Sequence, residues 1–219
     1  MKTLLFKLKD LKKGRFKKRH NRFAGELIYQ GKVDSVHIHD PGRLQELLLE
    51  DAEVLFTESR GKLTYYLKAI KKEGEWILLD SALHSKIAEQ VLKVMPEFSH
   101  VSEIRREVPL GKSRIDFVLD ETPLEVKGVS LVKDGLALFP DAPTKRGRRH
   151  VKEIIDHDGV LMFLILRKAE KFAPNAETDP KFAQELSRAR RTGISIIPVQ
   201  IEFDGEGIYY GGKIKLAEF

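Results

Sequence analysis

The stretch "SRIDFVLDETPLEVKGVSL" (residues 113–131) sets Asp116, Glu125 and Lys127 inside segments that otherwise read as apolar strand. Two carboxylates with an ammonium group beside them can hold a divalent cation, because Mg2+ takes one or two carboxylates and keeps positions for water and a phosphate. The cation lowers the pKa of its bound water, and the lysine orients that water or steadies charge on phosphorus. The chemistry expected of this set is phosphodiester hydrolysis with Mg2+ or Mn2+. About two Glu-x-Lys triplets arise by chance in a chain so rich in both residues, so "EVK" alone is a weak signal. Its plain alternative is a salt-bridged strand face.

The elements around the triplet decide between these readings. "DETP" (120–123) has turn chemistry, so residues 113–119 and 124–132 should pair as a hairpin. A connection through it places Leu119 opposite Leu124, Val118 opposite Glu125 and Asp116 opposite Lys127. Opposed residues share a face, as do residues two apart. Asp116, Glu125 and Lys127 then gather on one side, with Phe117 and Val126 on the other. A slip of one residue would separate them.

Before the hairpin, "DSALHSKIAEQVLKVM" carries Leu83, Ile87, Val91 and Met95 at helical spacing, started by Asp80 or Ser81 and ended before Pro96. After it come a basic helix (about 143–157), a buried strand (160–167), a helix (180–192) capped by Asp179 with Pro180 in its first turn, and the strand "ISIIPVQIEF". This α-β-β-β-α-β-α-β order predicts a mixed α/β sandwich over residues 81–219. Residues 1–80 read as short strands ("LLFKLKDL", "RFAGELIYQ", "KVDSVHIHD", "AEVLFTES", "LTYYLKAIKK", "EWILLD") with one short helix, "GRLQELLLE" (42–50). A small OB-like barrel is expected there, an architecture that often binds nucleic acid or oligosaccharide.

The 219 residues are 42% hydrophobic and 33% charged, which suits a folded core rather than a disordered chain. No apolar run approaches a membrane span, and Lys7, Lys9 and Asp10 interrupt the N-terminal apolar residues, so neither a signal peptide nor a membrane partner is expected. A cytoplasmic location follows as the default. The absence of cysteine removes disulfides, thiolate metal sites and thiol nucleophiles. Net charge is +6, and its placement says more. Residues 1–22 hold ten Lys/Arg against Asp10 alone, and "TKRGRRHVK" (144–152) holds five with no acid. Blocks of this kind suit a polyanion, since each neutralised phosphate releases condensed counterions. The bland alternative is a solvated basic surface.

Asp116 with "EVK" on such a core resembles the PD-(D/E)xK nuclease superfamily. Over nearly its full length the chain resembles the sugar fermentation stimulation protein A family, through "RFKKRHNRF", "VHIHDPGRLQELL", "SRIDFVL", "LEVKGVSL", "FPDAPTKRGRRHVKEI" and "DPKFAQELSRARRTGISIIP". "HDPGR" differs from the "PNTG"-type turn of many bacterial relatives. The resemblance implies an N-terminal OB-like β-barrel, a C-terminal restriction-endonuclease-like α/β domain, and binding of double-stranded DNA with little sequence preference. It maps catalytic roles onto Asp116, Glu125 and Lys127. The superfamily often adds a metal-binding glutamate from the first core helix, here Glu89, with Glu107 as the rival. Expected DNA contacts are Arg15, Lys17, Lys18, Arg19, Arg22 and Arg43 in the barrel and Lys145, Arg146 and Arg149 in the basic helix. The second reading is a catalytically silent regulator or architectural protein of sugar-metabolism genes; a third is a sugar-binding regulator, which no residue supports. Oligomeric state is left open, a homodimer included.

His37 and His39 share a strand face without a third ligand, which favours a hydrogen-bonded pair over a metal site. His150 lies in the basic helix, beside a phosphate or on a bare surface. Phe16, Phe23, Tyr65 and Tyr66 could stack bases, although aromatics of small barrels are mostly core. No phosphate loop, dinucleotide fingerprint or serine elbow occurs.

Overall fold

Ten consecutive residues of the N-terminal basic block, "KKGRFKKRHN", form a single strand. The computed structural model describes residues 2–219. After a first strand β1 (Thr3–Lys7), this strand is β2 (Lys12–Asn21), followed by β3 (Ala24–Tyr29), β4 (Lys32–His37), β5 (Glu53–Glu58) and β6 (Tyr65–Lys72). Strand order β4-β3-β2-β5-β6 is closed by pairing of β4 with β6, giving the five-stranded OB barrel. A lysine-rich segment tolerates this central place because its alternate side chains face solvent while Phe16 enters the core. Gly14 lies where Ile28 O would sit 2.7 Å from an added Cβ, so the barrel closes tightly only without a side chain there.

The short helix expected over 42–50 does not form. Leu44 has φ +50°, which L-residues rarely adopt, and the segment makes one turn only, Leu48 N–H donating to Leu44 O. Leu44 and Leu47 still plug the barrel, as apolar residues at that spacing should.

Strand β7 (Glu75–Leu78) pairs with β6 and, through Trp76 opposite Phe203, with β15 (Ser195–Phe203) of the second unit. Helix α1 (His84–Val94) follows a 3-10 turn started by Asp80. Then come β8 (Ile104–Leu110), β9 (Ser113–Leu119), β10 (Thr122–Val129), β11 (Val132–Lys133), β12 (Leu136–Phe139), α2 (Lys145–Asp156), β13 (Val160–Ile165), β14 (Lys171–Pro174) and α3 (Pro180–Arg191). The chain ends with β15, β16 (Gly207–Lys213) and β17 (Lys215–Leu216). Strands β8, β9 and β10 are antiparallel neighbours, while β10, β13 and β15 run parallel.

All six residues of β13 are buried, because helices cover both faces of this central strand. Met162 and Leu164 pack with α1, whereas Leu161, Phe163 and Ile165 pack with α2 and α3. Two features depart from the sequence expectation. Strand β1 pairs with β16, so the first residues belong to the sheet of the second unit rather than to the barrel. A small second sheet, β11-β12-β14-β17, is inserted beside the main one. Among the described residues no helix is long and apolar enough to cross a membrane.

Candidate active site

The β9–β10 hairpin turns through Asp120 and Glu121 alone, with Leu119 opposite Thr122 and Phe117 opposite Leu124. This register is two residues from the expected one, so every side chain keeps its face. Phe117, Leu124 and Val126 enter the core on the α1 side. Carried one step further, the register sets Asp116 against Glu125, where the ladder ends. Asp116 Oδ2 there accepts the Val126 N–H at 2.7 Å. Glu125 Oε1 is bonded by the Lys127 ammonium and by His150 Nδ1, and Glu125 Oε2 is buried with no protein partner. The three residues expected at the site are together.

Their charges are coupled. Burial, reinforced by the Glu125 charge, pushes the Asp116 carboxyl up to about 6, against the pull of Lys127 and the Val126 N–H. Burial also acts to raise Glu125, but Lys127 and His150 outweigh it and hold the group below its ordinary value. Of two adjacent acids, one is therefore kept ionised and the other is poised near neutrality.

These groups line a cavity of about 650 Å3 between the two units. The second unit contributes His84, Glu107, Asp116, Glu125, Lys127, Asp141 and Arg146; the barrel contributes Arg22 and the loop His39–Gly42. Two sets of bonds fix that loop. Arg43 N–H donates to Asp141 Oδ2 at 2.8 Å across the cleft, and Gly42 N–H to Asp40 Oδ1 at 2.8 Å. On the other side Arg19 donates to the carbonyls of Asp40, Gly42 and Arg43, and also to those of Asn21 and Arg22. Burial and the Asp141 charge push Asp40 up to about 6, although the Gly42 N–H pulls it back. Thus the "HDPG" part of "HDPGR", with Arg22, is the barrel's wall of the cavity.

The expected contacts divide. Arg22 and Arg146 line the cavity. Arg15, Lys17, Lys18, Arg43, Lys145 and Arg149 lie on the surface or half-buried outside it. Lys17 and Lys18 share Glu26 at 3.4 and 3.8 Å, Arg15 donates to Asp51 O, and Arg149 Nε donates to Ser113 Oγ. Arg19 is not available to DNA, since its five donors are all taken by backbone carbonyls. Glu89 does not join the site. It lies off the buried stripe of α1, ion-paired with Arg106 and, at 3.5 Å, with Lys93. Its rival Glu107 does line the cavity.

Of the four aromatics, Phe16 is core, Tyr65 packs on Phe56, and Tyr66 is held between Lys68 and the histidines His37 and His39. Only Phe23 is open, at 47% exposure. Sequence reasoning missed His84 and left His150 either beside a phosphate or on a bare surface. His150 falls on the same helical stripe as Gly147, Val151 and Ile154, an inward-facing signal that could have found it. His84 packs its ring where a Cβ of Gly128 would collide, and burial pushes its pKa down to about 4, so it is uncharged. Nothing in its helix pattern sets it apart.

Two family models match this chain: the SfsA N-terminal OB domain over residues 18–79 and the sugar fermentation stimulation protein RE domain over residues 82–207. The chain belongs to the sugar fermentation stimulation protein family. It is 42% identical over 209 residues to a homolog from Pyrobaculum islandicum, with 90% of each chain covered. It is 35% identical over 221 residues to one from Thermosipho melanesiensis, with 97% of each covered. In structure it resembles Pyrococcus furiosus SfsA in complex with Ca2+, at a TM-score of 0.89 and 28% identity, covering 99% of this chain and all of that one.

The residues present fit a divalent cation in one respect and limit it in another. An ionised, buried carboxylate oxygen without a partner is what a cation would satisfy, and Asp116 stands beside it. Among the described residues no three His, Asp or Glu side chains converge to hold a metal unaided. That leaves coordination sites for water and phosphate, the habit of Mg2+.

Proposed function

We propose that this protein is a cytoplasmic DNA-binding protein of low sequence specificity whose second domain carries a Mg2+- or Mn2+-dependent phosphodiesterase site. The observation that carries the reading is the unpartnered, buried Oε2 of Glu125, a residue that lines the cavity between the two units together with Asp116 and Lys127. A relative of the same fold solved with Ca2+ supports a cation in this family.

Asp116 and Glu125 would hold the cation, which when bound would polarise the phosphate and lower the pKa of a water. Lys127, tied to Glu125, keeps its ammonium at the cavity wall, where it can orient the attacking water and offset charge developing on phosphorus. Arg22 and Arg146 face the cavity from opposite units and neutralise neighbouring phosphates. Backbone contacts of this type recognise duplex DNA by charge rather than by base edge.

Among the described residues no three-ligand cluster stands ready for a metal, the feature that favours the second reading, a catalytically silent regulator or architectural protein. Incubating the purified chain with plasmid, linear, branched and single-stranded DNA, with and without Mg2+ or Mn2+, separates them. Metal-dependent strand breaks lost in Asp116→Asn support the nuclease. Retained binding with no breaks in any substrate supports the silent binder.

A further inference from the structure

His150 is 2% exposed, so its ring has no bulk water to bond. Its Nε2 lies 3.2 Å from Arg146 Nε. An arginine Nε carries a hydrogen and no available lone pair, so it can only donate, and His150 Nε2 must accept. A neutral imidazole has one N–H, which then sits on Nδ1, the atom in contact with Glu125 Oε1. The neighbours therefore fix the tautomer. Oε1 receives a second donor from Lys127, and Oε2 receives none.

We propose that His150 is a positioning residue: held in the Nδ1–H tautomer by Arg146, it fixes the Glu125 carboxylate so that Oε2 alone faces the cavity for a divalent cation. This rests on the metal-site reading of Asp116 and Glu125. Turning the carboxylate would strip Oε1 of both donors at a buried position, so the preferred orientation is steep. Glu125 would then offer a cation one oxygen, Oε2.

Helix geometry makes the link. Residues four apart share a helix face, so Arg146 and His150 meet on α2, and the buried stripe of Gly147, His150, Val151 and Ile154 carries the ring down to β10. Arg146 reaches the cavity from that same helix. One buried side chain thus stands between a DNA-facing cation and a metal-facing carboxylate. Outer partners of this kind orient first ligands, and their loss commonly weakens metal binding about 10- to 100-fold.

The test is Mn2+ titration of the full chain, read by the EPR signal of free Mn2+, for wild type, His150→Leu and His150→Asn, with the histidine tautomer read by long-range 1H–15N NMR. The asparagine amide can place an N–H near the position of Nδ1, whereas leucine fills the space without a donor. His150→Leu should weaken Mn2+ binding about 10- to 100-fold and His150→Asn should recover most of the loss. The wild-type spectrum should show Nδ1–H, and Arg146→Met should mix the tautomers and weaken Mn2+ binding. Wild-type affinity in His150→Leu, equal weakness of the Leu and Asn variants, or an Nε2–H tautomer overturns the proposal. Should His150→Leu fail to fold, Arg146→Met decides, and an unchanged tautomer with unchanged affinity overturns it. Absence of Mn2+ binding by the wild type overturns the metal reading and this proposal together. The tautomer then still shows whether the Arg146–His150–Glu125 chain exists.

Discussion

Asp80 and Glu125 are both almost fully buried, and each has a lysine and a histidine for neighbours. Around Asp80 every oxygen is used. Oδ1 accepts from Tyr66 at 2.9 Å and from the Ala82 N–H at 3.1 Å, and Oδ2 accepts from Lys68 at 2.6 Å. Tyr66 also contacts His39 Nδ1 at 2.5 Å, and Asp80 thereby ties the barrel to the 3-10 turn that leads into α1. Around Glu125 both donors crowd onto Oε1, and Oε2 is left facing a need. The residue types are nearly the same in the two clusters. What separates the two carboxylates is whether the last lone pairs are satisfied.

The largest expected effect breaks the unsatisfied cluster. On the proposed function Mn2+ should raise the wild-type melting temperature, and Asp116→Asn should remove both that rise and metal-dependent hydrolysis while DNA binding is kept or strengthened. Lys127→Ala should keep the Mn2+ shift and lose about a hundred- to a thousandfold in rate, since its role is with water and phosphorus. An Asp116→Asn variant cleaving at the wild-type rate would refute the site.

Breaking the satisfied cluster should act on folding instead. Asp80→Ala strands the largely buried Lys68 ammonium and removes a helix-start bond, at a cost of about 3–5 kcal/mol by chemical denaturation. Glu125→Gln keeps an acceptor for Lys127 and His150 but removes the charge opposite the Lys127 ammonium, so its metal-free cost should be smaller than that of Asp80→Ala. Equal costs would erase the distinction.

A smaller effect is set by pH. Asp40 and Asp116 have folded pKa values raised to about 6 from 3.8, so the native state binds more protons than the unfolded state between those values. Both therefore contribute stability that is present below about pH 4 and lost as pH rises through about 6. Asp40→Asn and Asp116→Asn should each flatten this slope in metal-free melts. Mn2+ should restore stability above pH 6 in the wild type and in Asp40→Asn, but not in Asp116→Asn. A slope unchanged by both substitutions would show that other groups titrate there.

The smallest effects separate free charges from spent ones. Reversing Lys17 and Lys18 should weaken duplex binding for all sequences and lower the slope of log affinity against log salt by about 0.9 for each phosphate lost. Arg19→Ala should instead lower the melting temperature through the loop it holds. An affinity loss in Arg19→Ala with no change in melting would return it to the DNA surface.

Local patterning made much of this molecule legible. The 3.6-residue periods of α1 and α3, the basic amphipathic α2, the continuous apolar run of β13 and the period-two faces of β9 and β10 are short-range properties of the chain. For that reason Asp116, Glu125 and Lys127 could be placed on one face even with the register two residues off: parity, not register, sets the face. Non-local demands escaped the reading. Residues 42–50 have a helical apolar pattern, but the barrel floor needs Leu44 at positive φ. Strand β2 was hidden by its lysines, because its strand character comes from two neighbours, β3 and β5, rather than from its own composition. The partner of β1 lies at the far end of the chain in β16, a pairing no window can see.

By itself the sequence determined the chemistry on offer: which acids, which lysine, which basic segments, and the strand and helices that carry them. Tertiary structure alone decided which of those groups are spent. Glu89 was drawn to Arg106, Arg19 was consumed by five carbonyls, and His150 was turned inward onto Glu125. The physical reason is that a residue's charge and donors are fixed by its covalent structure, whereas their satisfaction depends on what the fold brings within about 3 Å.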